Sequence, residues 1–329
     1  MDPLQNVQIG KTGLRVTRLG LGGAPLGGLF EDVRGEAAVR TVRRALEMGI
    51  NFFDTAPLYG HGKSEKWMGP GLAGIPSDSR VLATKVGRVL RPVEPGALEK
   101  DEFDNPAPFK PVFDFSYEGV MRSFHESLER LQVGRIDILH IHDPDNHYDE
   151  AIKGAYPALD QLRREGKIAA VGAGMNQAEM LARFAREGNF DCFLLAGRYT
   201  LIDHTGLKEL LPLCVEKSIS IIIGGPYNSG ILATGAKPGA KFNYADAPPE
   251  IMDRVQRVEE VCARHSVPMK AAALQFPLAH PAVASVIPGA RSVAELEENF
   301  RLISHPIPGE LWAELRSKGL LPQEAPVPG

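Results

Sequence analysis

From residue 18 onward, short apolar runs alternate with longer stretches whose apolar positions recur at three- and four-residue steps. The first pattern is that of buried strands, the second that of amphipathic helices. The runs that read as strands are Arg18–Gly23, Asn51–Ala56, Val81–Val86, Ile136–His142, Ile168–Gly174, Cys192–Gly197, Ser220–Gly225 and Ser285–Gly289. In Glu36–Met48, Val39, Val42, Ala45, Leu46 and Met48 line one face and Arg40, Arg43 and Arg44 the other. Tyr117–Leu131 repeats Val120, Met121, Phe124, Leu128 and Leu131 at helical spacing, and Tyr156–Arg164, Ala178–Arg186, Ile251–Arg264 and Val293–Leu302 follow suit. Strands separated by helices pair in parallel, because parallel neighbours need a crossover. Eight strand-then-helix units in about 280 residues are the count and size of an α/β (β/α)8 TIM barrel. An open doubly wound sheet is the competitor. It would carry a glycine-rich phosphate turn after its first strand, and GLGGAPLGG (residues 20–28) has no G-x-G-x-x-G in register with a helix start.

Other segments modify this outline. VQIGKTGLRVTRLG reads as two short strands around Lys11-Thr12-Gly13, a hairpin that caps one end of the barrel. Residues 87–115 and 226–248 are too long for plain turns and rich in Pro, Gly and Asp. Each follows a strand, so each belongs to the carboxyl face, where long loops close over ligands. The prolines and charges of the first also allow a disordered insertion. The end of the chain, about residues 321–329, is expected to be flexible. No internal repeat or linker divides the chain, so residues 1–329 read as one domain.

Composition narrows the function classes. Of 329 residues 43% are hydrophobic and 24% charged, which suits a sizeable core. A net charge of −4 and a pI near 6.2 offer no basic face for nucleic acid or an anionic membrane. Cys192, Cys214 and Cys262 are odd in number and far apart, which fits a reducing compartment. With no signal pattern at the start and no apolar run near the ~18 residues of a membrane span, a cytoplasmic protein is expected. Oligomeric state is not readable from the pattern.

In a barrel, functional groups collect at the carboxyl ends of the strands. Strand two ends FFDTAPLYG, strand three ATKVGR and strand four LHIHDPD, which brings Asp54, Tyr59, Lys85 and His142 to one mouth. Unpaired, Asp54 and Lys85 would be costly on apolar strands, so they are expected to pair. An ammonium beside a phenol is expected to lower its pKa from about 10, letting Tyr59 exchange a proton near neutrality. A neutral His142 can orient a carbonyl or hydroxyl oxygen. Taken singly, each residue also has a structural reading, such as Asp54 as a cap before Thr55-Ala56-Pro57. No His/Asp/Glu cluster has metal-ligand spacing.

NFFDTAPLYGHGKSE, VLATKVG, RIDILHIHDPD, GKIAAVGAG and VIPGARSVAELEEN, in that order, resemble the aldo/keto reductase superfamily over about residues 8–303. The resemblance implies an enzyme with direct hydride transfer to or from NADP or NAD, Tyr59 as general acid/base, and Asp54, Lys85 and His142 completing the tetrad. It also implies cofactor contacts from Asp54 itself, from Asn176, from Tyr227, Asn228, Ser229 and Gly230 along the pyrophosphate, and from Gly289, Arg291, Glu295, Glu298 and Asn299 at the adenosine end. Glu295 stands where NADP-preferring members can carry an arginine, which favours the ribose hydroxyls of NAD. The neighbouring Arg291 could instead grip a 2′-phosphate, so both dinucleotides stay open. RSVAELEEN is equally a good helix start, with Ser292 and Glu295 as a capping box. The chain departs from the family at three places. Asn176 fits the carboxamide position only with a one-residue shift, Ala196 replaces a glutamine, and Gly224 replaces a nicotinamide-stacking tyrosine for which Tyr227 could substitute.

His142 is followed by Asp143 where many members carry an apolar tryptophan. Acceptors there suit a substrate with several hydroxyls, since polar sites discriminate through hydrogen bonds. HIHDPD and GGPYNSGIL resemble the sugar-oxidising subgroup of aldose and galactose 1-dehydrogenases, including an L-fucose-type enzyme. That implies oxidation of a cyclic aldose at C1 to a lactone. Asp143 as a simple loop cap is the alternative. Phe30, His61 and Trp67 follow strands one and two and are candidates to line the pocket. Other functions stay open: a pyridoxal dehydrogenase, an aldehyde or ketone reductase, or a nicotinamide-binding sensor or channel-associated subunit with little turnover.

Overall fold

The computed structural model describes residues 1–94 and 96–329. Its centre is a parallel sheet of eight strands in sequence order, Leu21–Gly22, Phe52–Asp54, Val81–Val86, Ile138–His142, Ala170–Met175, Cys192–Ala196, Ser220–Gly224 and Val283–Ile287. Parallel bridges Leu19↔Val286 and Gly22↔Gly289 join the first strand to the last and close the barrel. Arg18 carbonyl accepts from Val286 N–H, and Gly20 N–H donates to Val286 carbonyl, both at 2.9 Å.

Side chains alternate along each strand. Phe53, Leu82, Leu139, Val171 and Phe193 point outward into the core shared with the helices. Phe52, Val81, Ala83, Ile138, Ala170 and Cys192 point inward and fill the lower barrel. The same parity carries upward, so Asp54, Lys85, His140 and His142 all fall on the inward set. The expected hairpin forms from Asn6–Gln8 and Arg15–Thr17, and its Ile9 and Val16 plug the amino end of the barrel against Phe52, Val81 and Ile138.

Helices Gly35–Glu47, Tyr117–Leu131, Tyr156–Arg164, Ala178–Glu187, Pro249–Arg264 and Val293–Ile303 follow the apolar periodicity closely. The periodicity reading does not include four others of eight residues or more, the last being Gly309–Ser317. Lys63–Leu72 contains Gly69, Pro70 and Gly71, which lower helix propensity. Those glycines are used for close packing: a Cβ on Gly69 would lie 2.0 Å from Leu131 carbonyl and one on Gly71 2.5 Å from Val42. Met269–Leu278 has no polar face, its Ala271–Leu278 run being buried throughout, and Leu210–Lys217 is short. Both loops at the carboxyl face are folded. Residues 87–115 contain the antiparallel hairpin Arg88–Pro92/Phe109–Phe113, tied down where Ala107 N–H reaches Gly60 carbonyl and Lys63 Nζ reaches Asn105 carbonyl. Among its described residues this loop is therefore not a disordered insertion. Residues 226–248 contain the short helix Ile231–Thr234 and the hairpin Lys241–Phe242/Ala245–Asp246. The end of the chain also departs from expectation. Leu321 and Ala325 are buried, and Ala325 carbonyl accepts from Arg316, so the segment packs back on the helix Gly309–Ser317. Among the described residues no helix is long and apolar enough to cross a membrane.

Candidate active site

The alternation of strands two to four brings Asp54, Lys85 and His142 to the carboxyl mouth, all nearly or fully buried. Lys85 Nζ donates to Asp54 Oδ2 at 2.7 Å and to Thr55 carbonyl at 2.8 Å. Tyr59 arrives on the turn after strand two. Its backbone is fixed by close approach to Gly27, whose Cβ would stand 2.5 Å from Tyr59 C. Lys85 Nζ lies 4.5 Å from the Tyr59 ring centre, and the His142 ring meets Tyr59 edge-on at 5.9 Å and 88°. A second layer braces this group. Thr55 Oγ1 donates to Ser64 Oγ, Ser64 Oγ to Gly23 carbonyl, and buried Glu65 accepts from Thr84 Oγ1 at 2.7 Å and from Arg130 Nε at 2.6 Å.

Burial sets the protonation states. It pushes the Asp54 carboxyl up, and the Lys85 ammonium pulls it back only in part. Burial and the Lys85 charge hold His142 well below the usual imidazole range, so the ring is neutral. His140, one layer deeper, is lowered to about 3 by the same two causes. The Tyr59 phenol is raised well above its ordinary value, chiefly by burial and then by the Asp54, Tyr244 and Asp143 charges. The expected lowering by Lys85 is thus overturned: that ammonium is taken up by Asp54, and desolvation wins. At neutral pH Tyr59 is a protonated phenol that can donate, and its phenolate would be a strong base.

A cavity of about 120 Å³ opens here, lined by Tyr59, Lys85, His142, Asp143, Asn176 and Ala196 and walled by Leu29, Glu102, Phe103 and Tyr244. Asn176 Nδ2 donates to Ala196 carbonyl at 2.8 Å, which holds its amide in this cavity. Asp143 takes a left-handed conformation (φ 43°) and bonds Arg88 Nη2 at 3.2 Å, with its other neighbour His142 Nε2 at 3.4 Å. Desolvation raises its carboxyl to about 6, with Arg88 acting in the opposite sense. Arg88, Glu102, Phe103 and Tyr244 escape the reading of strand ends because all four sit on the long loops, which periodicity does not describe.

Leu29 also lines a longer groove of about 460 Å³ that holds Tyr227, Ser229, Gly230, Gly289, Arg291, Glu295, Glu298 and Asn299. Its chemistry fits a dinucleotide. Gly230 (φ 100°) leaves space where a Cβ would meet nothing within 4 Å among the described residues. Asn228, buried beside the groove, donates to Gly197 carbonyl at 3.0 Å and keeps a buried Oδ1 with no partner among them. At the far end Arg291 donates to Glu295 Oε1 at 2.8 Å and pairs with Glu31, Lys270 pairs with Glu298 at 2.8 Å, and Ser292 caps the helix through Glu295 N–H.

Several candidates lie elsewhere than expected. Tyr227 gives its hydroxyl to Asn299 Oδ1 at 2.7 Å in the outer groove, so it does not replace the missing stacking tyrosine in the catalytic cavity. Phe30 lines the groove and not the catalytic cavity. Trp67 is away from both: its ring fills the space over Gly35, where a Cβ would lie 2.8 Å from it. A helix-borne aromatic six residues past His61 faces the neighbouring helix, not the mouth. His61 is buried and bonds Asp101 at 2.7 Å beside the catalytic cavity. Among the described residues no group of three or more His, Cys, Asp or Glu is placed to hold a metal ion.

Comparison with known proteins follows the same lines. The model of the aldo/keto reductase family matches residues 18–319. A pyridoxal 4-dehydrogenase of Microbacterium luteolum is 41% identical, covering 95% of this chain and 97% of its own. A D-threo-aldose 1-dehydrogenase of Pseudomonas sp is 40% identical over 94% of this chain and 96% of its own. The holo form of an aldo-keto reductase from Bacillus halodurans superposes with a TM-score of 0.75 at 27% identity, covering 95% of this chain and 96% of that one. The chain is an oxidoreductase belonging to the aldo/keto reductase family.

Proposed function

We propose that the protein oxidises a hydroxyl-rich aldose at C1 to its lactone, with Tyr59 as the acid/base. The observation that carries this reading is the Arg88–Asp143 pair beside His142, which gives the mouth charged hydrogen-bonding groups in place of an apolar wall. Neutral His142 and Tyr59 line the same cavity, where both would meet the C1 hydroxyl. Oxidation requires Tyr59 as its phenolate, a strong base in this buried site; that base takes the hydroxyl proton at Oη as C1–H leaves as hydride, and the Asp54–Lys85 pair holds Tyr59 in a fixed field. A bound nicotinamide supplies the two-electron acceptor. Asn176 would hold its carboxamide, Ser229 and Gly230 would lie along the pyrophosphate, and Glu298 and Asn299 would meet the adenine end. Arg291 is already claimed by Glu295 and Glu31, so the groove offers carboxylates to a ribose and little free charge to a 2′-phosphate. On this ground NAD is the favoured cofactor. The whole chain serves as one barrel domain.

A second reading has its own observation. Phe103 lies 6.2 Å from Tyr59, and Tyr244 lines the same cavity, so aromatic faces are available to a flat ring such as pyridoxal. The test is absorbance at the NADH wavelength with NAD and a panel of aldoses, beside pyridoxal with NAD and aromatic aldehydes with NADPH. Lactone-forming turnover of an aldose is expected. Pyridoxal-only turnover, or aldehyde reduction alone, would overturn the sugar reading. Dinucleotide binding without turnover would point to a sensor.

A further inference from the structure

The catalytic cavity encloses only about 120 Å³, whereas small-molecule sites commonly run about 300–1,000 Å³. Beside it, under the hairpin Arg88–Pro92/Phe109–Phe113, lies a second compartment of about 320 Å³. Leu58, Glu102 and Asp143 stand in the walls of both. The compartment is a polar one in which the carboxylates Glu99, Asp101, Glu102 and Asp143 outnumber the cations Arg88, Lys100 and Lys110. Arg88 pairs with Asp143 and lies 4.3 Å over the Phe113 ring, and Lys110 faces Glu99 at 3.8 Å. His61 holds Asp101 through Nε2 at 2.7 Å, while Asp101 Oδ1 accepts Phe103 N–H at 2.9 Å. These two bonds fix the segment that forms the outer wall and set Phe103 over Tyr59. An excess of carboxylates leaves little attraction for an anion, but many donors and acceptors for hydroxyl groups.

We infer that this compartment is a distal subsite that receives the hydroxyl-bearing carbons of the aldose remote from C1, with Arg88 and Asp143 recognising them where the two chambers meet. The inference rests on the C1-oxidation reading above and adds a substrate class to it: neutral aldoses with an extended polyhydroxyl end, in preference to their phosphates.

The test measures kcat/KM with saturating NAD along a stereochemically matched tetrose, pentose and hexose series, and for a hexose against its 6-phosphate. The expected result is a rise with each added hydroxyl-bearing carbon and a fall on phosphorylation. Ala97→Trp, which fills the compartment, and Arg88→Met, which removes the charged donor, should each lower the hexose-to-tetrose ratio about tenfold or more. Far-UV circular dichroism and NADH titration report folding and cofactor binding, and should Ala97→Trp fail to fold, Arg88→Met carries the comparison. Turnover of aldoses with no dependence on chain length, an unchanged ratio in folded variants, or preference for the phosphate would overturn the subsite and leave C1 oxidation standing. Absence of turnover with every aldose, alongside activity on pyridoxal, would overturn the C1 reading and the subsite with it.

Discussion

The buried Asp54–Lys85 pair makes a strong prediction about stability. Both side chains are 1–2% exposed and meet at 2.7 Å. Lys85→Met keeps the length and apolar stem of the side chain but leaves the Asp54 carboxyl buried without its counter-charge. Breaking one side of a buried pair costs about 3–5 kcal/mol, because the remaining charge is uncompensated. Removing both charges, as in Asp54→Asn/Lys85→Met, relieves that penalty. The double variant should therefore be more stable than Lys85→Met, with a coupling of about 2 kcal/mol or more. For a chain of 329 residues the unfolding entropy is about 0.7 kcal/mol per kelvin, so Lys85→Met should lower Tm by about 4–7 °C. The assay is calorimetric melting of the wild type, both single variants and the double variant at one pH. Dinucleotide must first be removed, since bound ligand would stabilise the variants unequally. Strictly additive costs, or a Lys85→Met loss below about 1 kcal/mol, would refute the argument that burial makes these charges interdependent.

Four further outcomes are expected. Tyr59→Phe should lower kcat by about 10²–10⁴ while NADH affinity measured by fluorescence titration stays within about twofold, as befits loss of a proton-transfer group alone. The Asp143 carboxyl is raised to about 6 in the fold, so the folded chain holds that proton more tightly than the unfolded one; its contribution to stability is full below about pH 4 and lost as pH rises through 6. Melting curves across that window should show this fall and lose it in Asp143→Asn, and an acid limb near pH 6 in kcat/KM for the sugar should vanish in the same variant. Glu295→Ala frees Arg291 from one of its two carboxylates, so the NADP-to-NAD ratio of kcat/KM should rise about tenfold or more; no change would mean that Arg291 does not reach the ribose. Gly69→Ala drives a methyl to 2.0 Å from Leu131 carbonyl and should destabilise by about 1–3 kcal/mol or more, whereas Gly134→Ala, with nothing within 4 Å among the described residues, should stay within about 0.5 kcal/mol by the same melts.

The sequence by itself determined the barrel and the gathering of Asp54, Lys85 and His142 at its mouth, for one shared reason. Strand parity is local: an apolar run with a period of two fixes which residues face inward, and Asp54, Lys85 and His142 each sit at the end of such a run. Six helices were legible from their apolar stripes, whereas Lys63–Leu72 was not, because Gly69 and Gly71 answer to neighbouring helices and not to a stripe of their own. Trp67 shows the same limit, since its place beside a catalytic motif says nothing of the helix face that carries it. Tertiary structure alone decided the protonation of Tyr59. Spacing put a cation next to a phenol, but only the fold shows that Asp54 claims that cation and that desolvation dominates what is left. It likewise brought Arg88 to Asp143 across 55 positions and Glu31 to Arg291 across 260. Electrostatic and hydrogen-bonding partners are set by distance in space, and on long loops a sequence carries no period from which that distance can be read.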